Sequence, residues 1–185
     1  MYEVELKFRL HDADSFLSRA TACGATASTS VDQCDLYFNH PARDFAASDE
    51  AFRIRRIDQQ HVVTYKGPVV DSQTKTRREI EVPLAGDGAG DKLSELLQFL
   101  GFRPVRQVRK HRRTYSLAWQ NRPFEIALDN VEGLGEFVEI ETLADEADRP
   151  AALSAILSLV AELQLPAPER KSYLSLLLER DPRNP

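Results

Sequence analysis

The chain has 185 residues, with 24 basic and 29 acidic side chains and a formal net charge of -5. This length suits one domain with a sizeable hydrophobic core, and the net negative charge argues against general affinity for nucleic acid. No apolar run is long enough to cross a bilayer, and no leader-like segment opens the chain. Cys23 and Cys34 have neither metal-ligand spacing nor the density of a disulfide framework. We therefore expect a single cytoplasmic domain over residues 1–185, with no nucleic acid or membrane partner.

The N-terminal half of the chain predicts one helix among several strands. Residues 2–10 alternate charged and apolar side chains, which is the period-2 pattern of a half-buried strand. A helix is expected over residues 13–23, with Asp12 or Asp14 as its N-cap and Gly24 at its end. The further strands expected here are residues 33–38, 52–57, 62–66 and 77–82. The second and third of these flank a polar tetrapeptide, which predicts a hairpin.

The C-terminal half continues with helices placed around a second group of strands. An amphipathic helix is expected over residues 93–100, closed by Gly101. The elements expected after it are strands at 107–117, 124–129 and 136–142 and helices at 151–165 and 170–180. About eight strands in mostly hairpin order, with helices between groups, predict an α+β fold built on an antiparallel sheet or barrel.

Charged side chains recur on one face of most of these strands, opposite an apolar face. Arg53 and Arg55 share a face, and so do Glu139 and Glu141. An open antiparallel sheet with one solvated face would give this pattern. A closed barrel would give it too, with apolar faces packed outward against helices and charged faces pointing inward.

A closed barrel makes a specific chemical demand on its interior. Neither sign of charge fills such an interior alone, because like charges repel strongly in a medium of low dielectric constant. A polyanion bound together with metal ions meets this demand, because carboxylates hold the metal and cationic side chains hold phosphates. Hard cations such as Mg²⁺ prefer oxygen ligands and are commonly shared between carboxylates and phosphates.

The opening segment Glu3-Val4-Glu5-Leu6-Lys7 resembles the ExExK signature of the CYTH superfamily, the triphosphate tunnel metalloenzymes. The other blocks that resemble this family are residues 33–38, 53–55, 65–68, 78–81, 110–112, 134–141 and 171–174. They occur in order along nearly the whole chain. The resemblance implies an eight-stranded antiparallel closed β-barrel, or tunnel, with helices packed outside.

The resemblance also implies roles for individual residues. The metal ligands for Mg²⁺ or Mn²⁺ would be Glu3, Glu5, Glu139 and Glu141. The phosphate-binding residues would be Lys7, Arg53, Arg55, Lys66, Lys110, Arg112 and Lys171. Lys110 and Arg112 would stabilise charge on the leaving group, and Asp129 would bind metal or assist deprotonation. Glu79 and Glu81 either join the site or balance Arg77, and Asp35 is either a structural acceptor or a site residue.

Within the superfamily, the compact size, the segment of residues 2–9 and the Gly133-Leu134-Gly135 element are most similar to the class IV adenylyl cyclases. This implies conversion of ATP to cyclic AMP and pyrophosphate. A triphosphatase acting on inorganic triphosphate, thiamine triphosphate or a nucleotide remains an alternative, because the phosphate-binding residues are common to both. A non-catalytic polyphosphate-binding or nucleotide-binding module is a third. The expected partner is a small triphosphate, ATP first, and a homodimer remains open.

Overall fold

The computed structural model describes residues 2–70 and 76–181, so the outermost ends of the expected domain lie outside the described residues. The strands are β1 (Tyr2–Arg9), β2 (Thr26–Asn39), β3 (Ala51–Ile57), β4 (Gln60–Lys66), β5 (Arg77–Leu84), β6 (Arg103–Trp119), β7 (Arg122–Val131) and β8 (Gly135–Ala144). The helices are α1 (Ala13–Ala22), α2 (Phe45–Ser48), α3 (Ala89–Phe99), α4 (Arg149–Glu162) and α5 (Tyr173–Arg180).

The eight strands form a closed barrel in the order β1-β5-β4-β3-β2-β6-β7-β8. Every neighbouring pair is antiparallel, and β1 completes the closure by pairing with both β8 and β5. The prediction of an α+β fold built on a closed eight-stranded antiparallel barrel is therefore confirmed. An open sheet with one solvated face is excluded.

The apolar faces of the strands point outward and are covered by helices. Val4, Leu6 and Phe8 of β1 are at most 3% exposed and belong to one apolar cluster with Phe16 of α1 and Leu159 of α4. Burial of side chains of this size contributes about 2 kcal/mol each. Because successive strand residues face opposite ways, burying these three on the outside directs Glu3, Glu5 and Lys7 to the inside.

A second apolar cluster fixes the last helix against the barrel. Leu177 and Tyr173 of α5 pack with Val108, Val131 and Phe137 of β6, β7 and β8. The Tyr173 and Phe137 rings meet edge to face, with centroids 5.1 Å apart. This packing places the Tyr173 side chain inside the barrel.

Most element limits differ from the expected ones by a few residues, and three differences have a clear cause. β2 begins at Thr26 instead of residue 33, because its polar first half takes its hydrogen bonds from β6. The β3–β4 turn is only Asp58-Gln59, with Asp58 at φ 53, so β4 begins at Gln60 instead of residue 62. α5 begins at Tyr173 because the Ser172 side chain accepts a hydrogen bond from the Ser175 amide and caps the helix.

Candidate active site: a tunnel with an acidic and a basic wall

The inward faces of all eight strands line a single cavity of about 760 Å³. Glu3, Arg53, Lys66 and Glu139 all lie on it, so the charged rows predicted from four separate strands converge. Because side chains of both signs line it, their arrangement on the individual strands decides what the cavity can bind.

Carboxylates concentrate on three neighbouring strands. Glu3 and Glu5 of β1, Glu79 of β5 and Glu141 of β8 line the cavity, and β1 lies between β5 and β8 in the barrel. We call these four residues the acidic wall. One carboxylate oxygen from each of Glu3, Glu5 and Glu141 lies within 4.8 Å of the other two. This spacing brings three oxygen ligands to one point.

Lys66 of β4 reaches into the acidic wall. Its Nζ lies 2.7 Å from Glu3 Oε2, 3.0 Å from Glu79 Oε2 and 3.7 Å from Glu5 Oε2. Burial by itself lowers the pKa of Lys66, but these three carboxylates raise it above its ordinary value. The sequence predicted Lys66 as a phosphate ligand. In the structure its ammonium group is the counter-ion of these carboxylates, which marks this point as attractive to cations, and its role towards phosphate stays a prediction.

The acidic wall carries more negative charge than Lys66 balances. Burial, together with Glu3 and Glu5, raises the pKa of Glu141 well above its usual value. Burial also raises the pKa of Glu3, with Glu79 adding to the effect. A divalent cation with oxygen ligands would reverse both effects. The donor set therefore fits Mg²⁺ or Mn²⁺ held by Glu3, Glu5 and Glu141, which are three of the four predicted ligands.

Glu139, the fourth predicted metal ligand, lies apart from that cluster. It accepts a hydrogen bond from Arg112 and faces Lys110 and Lys7. Burial opposes ionisation, yet these three cations hold the pKa of Glu139 well below its usual value. Its position is that of a counter-ion to the cationic side chains.

Cationic side chains concentrate on two strands of the opposite side, β3 and β6. Arg53 and Arg55 of β3 and Lys110 and Arg112 of β6 line the cavity, with β2 between those strands. We call these four residues the basic wall. The barrel order separates the two walls by β4 on one side and by β7 on the other. The cavity is therefore polarised from wall to wall.

Asp129 of β7 holds two members of the basic wall in place. Its carboxylate, fully buried, accepts two hydrogen bonds from Arg112, at 2.7 and 2.6 Å, and one from Lys110 at 3.3 Å. The Tyr173 hydroxyl donates a fourth at 3.0 Å. Four donors use the acceptor capacity of this carboxylate. This geometry favours a role in positioning Arg112 and Lys110, and the metal-binding or proton-accepting role expected from the sequence stays a prediction.

Asp35 of β2 does the same for the other two members. It accepts both hydrogen bonds of a bidentate pair from Arg55, each 2.7 Å long. Arg53 Nη1 lies 3.4 Å from the same carboxylate. Burial raises the pKa of Asp35, but Arg53 and Arg55 lower it to well below its ordinary value. Of the two roles left open by the sequence, the geometry matches the structural acceptor.

The basic wall nevertheless keeps a buried donor unused. Arg53 Nε is buried and has no hydrogen-bond partner among the described residues. A buried guanidinium N–H without an acceptor costs free energy, so it favours an anion at this point.

Lys110 is the member of the basic wall whose charge depends on pH near neutrality. Burial and the neighbouring Arg112 lower the pKa of Lys110 to about 8, against the opposite influence of Asp129. An anion bound beside it would favour the charged form.

Two predicted phosphate ligands remain to be placed. Lys7 lines the cavity with its Nζ 4.1 Å from the centre of the Tyr173 ring and 2.5 Å from the Lys171 carbonyl oxygen. The Lys171 side chain itself is exposed and pairs with Glu179 at 2.7 Å on the surface. It lies outside the cavity, because α5 directs the next residues, Ser172 and Tyr173, inward instead.

Some cavity residues were not assigned a role from the sequence. Tyr173 was part of a matching block, but a tyrosine at the start of a helix gives no local signal of reaching into a barrel. Glu79 shares a strand face with Glu81, and the sequence left open whether it joins the site or pairs with Arg77. Arg77 in fact contacts Asp49, and Glu79 contacts Lys66. Gln33 faces the cavity two residues before Asp35 on the same face of β2, and alternation alone would have identified it.

A closed barrel with facing acidic and basic walls is the architecture of a triphosphate tunnel protein. The CYTH domain profile matches residues 1–173, and the chain belongs to the CYTH family.

Curated relatives agree with this assignment. A Methanocaldococcus jannaschii protein provisionally named as an adenylate cyclase is 36% identical over 179 residues, which cover 95% of this chain and 98% of the relative. Adenylate cyclase CyaB of Aeromonas hydrophila is 30% identical over 181 residues, covering 95% of this chain and 88% of the relative.

Solved structures give the same fold. The PH1819 protein of Pyrococcus horikoshii has a TM-score of 0.84 and 40% identity, covering 96% of this chain and 99% of its own. A Hippeastrum protein described as having a dominant triphosphatase activity has a TM-score of 0.64, covers 96% of each chain and, at 19% identity, shares the fold alone. Over residues 2–70 and 76–181, no helix has the length and apolar character needed to cross a membrane.

Proposed function

We propose that this protein is a metal-dependent adenylyl cyclase of class IV, which converts ATP to cyclic AMP and pyrophosphate inside the tunnel. The observation that carries the proposal is the polarity of the cavity. Glu3, Glu5 and Glu141 converge on one wall, and a basic wall with an unused Arg53 N–H faces them. The curated relatives named as adenylate cyclases support ATP as the substrate.

The basic wall binds and orients the triphosphate in this proposal. Arg112 and Lys110, fixed by Asp129, and Arg53, fixed by Asp35, present N–H groups in positions that exist before the substrate arrives. Preorganised donors of this kind stabilise charge that develops during phosphoryl transfer, in which positioning and electrostatics dominate. The reaction forms a bond from the ribose 3′-oxygen to the α-phosphorus and breaks the bond from that phosphorus to the pyrophosphate oxygen, and the proton of the 3′-hydroxyl is released to water.

The acidic wall binds the divalent cation in this proposal. Glu3, Glu5 and Glu141 would hold it. When bound, the cation would neutralise phosphate charge and lower the pKa of the attacking ribose hydroxyl. Glu79 and Lys66 pair within the same wall and fix the Glu3 carboxylate. Tyr173 donates to Asp129 and keeps the cations of the facing wall aligned.

The direct test is to incubate the purified protein with Mg²⁺ or Mn²⁺ and ATP and to identify the products by chromatography. Cyclic AMP together with pyrophosphate is the expected result. Release of orthophosphate without cyclic AMP would contradict the cyclase assignment and leave the tunnel assignment standing.

A triphosphatase is the second candidate, because the same walls would serve attack by water on a terminal phosphorus. The Hippeastrum protein is a reason to test it, although at 19% identity it supports only the shared fold. Inorganic triphosphate and thiamine triphosphate, assayed for orthophosphate release under the same conditions, test this candidate. Tight triphosphate binding without turnover of any substrate would instead favour the non-catalytic binding module.

A further inference from the structure

Gln33 of β2 carries an unused hydrogen-bond acceptor in the tunnel. Its side chain lines the cavity, the residue is only 7% exposed, and its Oε1 atom accepts no hydrogen bond from any described residue. Among the described residues that line the cavity, it is the single amide side chain. A buried carbonyl oxygen without a donor is costly, so a donor from a ligand is favoured at this point.

A phosphate group does not fit beside this oxygen. Phosphate oxygens and the Gln33 carbonyl are all acceptors, so contact between them is repulsive. The neighbouring cation, Lys110, is opposite Gln33 in the β2–β6 register but directs its ammonium group to Asp129 at 3.3 Å. The partner that suits this oxygen is therefore an N–H or O–H donor of the bound ligand.

The surface around Gln33 is apolar on two sides. Ile57 lies opposite it on β3, and Val31 precedes it by two residues on the same face of β2; both line the cavity. Most of the remaining lining is charged or hydroxylic. A branched aliphatic surface beside one neutral acceptor suits a flat heterocycle that carries an amino group.

This surface is continuous with the basic wall. Arg112 is opposite Val31 in the β2–β6 register, and Arg55 precedes Ile57 by two residues on the same face of β3. A triphosphate held by these arginines would leave the attached nucleoside beside Val31, Ile57 and Gln33.

We infer that Gln33 is the residue that selects the nucleobase: its Oε1 accepts a hydrogen bond from the exocyclic amino group of adenine, whose ring packs against Val31 and Ile57. The inference rests on the proposed nucleotide-binding function and adds the chemical basis of base specificity to it.

The test compares binding of two non-cleavable nucleotides by calorimetry with Mg²⁺: α,β-methylene ATP and the same analogue of purine riboside triphosphate, which lacks only the amino group. The unaltered protein should prefer the ATP analogue by about tenfold in Kd, as one hydrogen bond to a buried acceptor predicts. In Gln33→Met the preference should fall to within about twofold, because the acceptor is replaced by an apolar side chain of similar length.

Two further variants separate specificity from folding and charge. Gln33→Glu retains an acceptor, so it should keep the preference even though its negative charge weakens binding of both nucleotides. Gln59→Met makes the same replacement at the exposed β3–β4 turn, outside the tunnel lining, and should leave both Kd values unchanged. An unchanged preference in folded Gln33→Met would overturn the inference.

Two more ligands distinguish the remaining outcomes. If Gln33→Met loses discrimination between ATP and 2′-deoxy-ATP analogues instead, the residue recognises ribose and the inference about the base is wrong. Inorganic triphosphate has no base, so its Kd should be the same in the unaltered protein and in Gln33→Met. Triphosphate binding with no base preference refutes this inference alone, whereas no triphosphate binding by the unaltered protein refutes the proposed function.

Discussion

The acidic and basic walls differ in how far the protein neutralises them. On the basic wall, every cation already contacts a buried carboxylate: Arg53 and Arg55 contact Asp35, and Arg112 and Lys110 contact Asp129. On the acidic wall, the ammonium group of Lys66 is the single cation that the described ion pairs place against the four carboxylates. The basic wall is thus preorganised from within, whereas the acidic wall needs a cation from outside. This difference predicts different responses to mutation.

The largest expected effect comes from the acidic wall. Glu3→Gln should reduce metal-dependent turnover by about a thousandfold, because it removes one of three converging ligands and the partner of Lys66. Turnover and Mn²⁺ affinity, measured by steady-state assay and calorimetry, should fall together. Glu132→Gln, an exposed acid outside the tunnel, is the matched control. Turnover within tenfold of the unaltered protein would remove Glu3 from the metal site.

The next effect, on stability, comes from the basic wall. Asp129→Asn should lower the free energy of unfolding by about 3 kcal/mol, because it leaves Arg112 and Lys110 buried without their counter-charge. Urea unfolding followed by circular dichroism measures the change. Asp58→Asn, at an exposed left-handed turn position that Asn tolerates, should change it by less than about 0.5 kcal/mol. Equal effects of the two variants would contradict the anchoring role.

The basic wall should also make phosphate binding depend on pH. Burial and Arg112 lower the pKa of Lys110 in the free protein to about 8, and a bound anion raises it again. Binding above pH 8 therefore takes up a proton, so affinity should fall as pH rises, by up to about tenfold per pH unit. Calorimetry with α,β-methylene ATP, whose phosphates are already ionised in this range, measures the slope. Lys110→Met should bind more weakly and show no such slope; a slope that persists would assign the titration to another group.

The smallest expected effect is on thermal stability, and it should differ between the metal-free and the metal-bound protein. Glu141→Gln should raise the Tm of the metal-free protein by a few degrees, roughly 1 kcal/mol, because it relieves repulsion among Glu141, Glu3 and Glu5. Added Mg²⁺ should stabilise the unaltered protein more than the variant. Thermal melts with Mg²⁺ and with a chelator measure both differences. A lower Tm for the metal-free variant would show that Glu141 is not under repulsion.

Local sequence patterns were enough to identify most of the tunnel lining. Alternation of side chains placed Glu3, Glu5 and Lys7 on one face because the two-residue period of a strand is a local property. The same rule predicted the shared faces of Arg53 and Arg55. It did not predict the full length of β2, whose polar first half becomes a strand only through its pairing with β6.

The alternation of side chains along a strand did not predict which residue of another strand each of these side chains contacts. Lys66 was expected among the phosphate ligands. Pairing of β4 with β5 sets it opposite Glu79, and closure of the barrel between β1 and β5 brings Glu3 to the same ammonium group. Asp129 was expected to act on metal or substrate. Its contact with the Tyr173 hydroxyl could not be predicted from alternation, because Tyr173 lies on a helix 44 residues further along the chain.

The sequence by itself determined which residues of most strands share one polar face and that both signs of charge lie on it. Only the tertiary structure decided which carboxylate meets which cation, and hence that an unneutralised acidic wall faces a preorganised basic one. The reason is that the side of a strand on which a residue lies is set by the backbone geometry of its chain neighbours. The partner that it contacts across the tunnel depends instead on the order of the strands and on barrel closure, which join residues far apart in the chain.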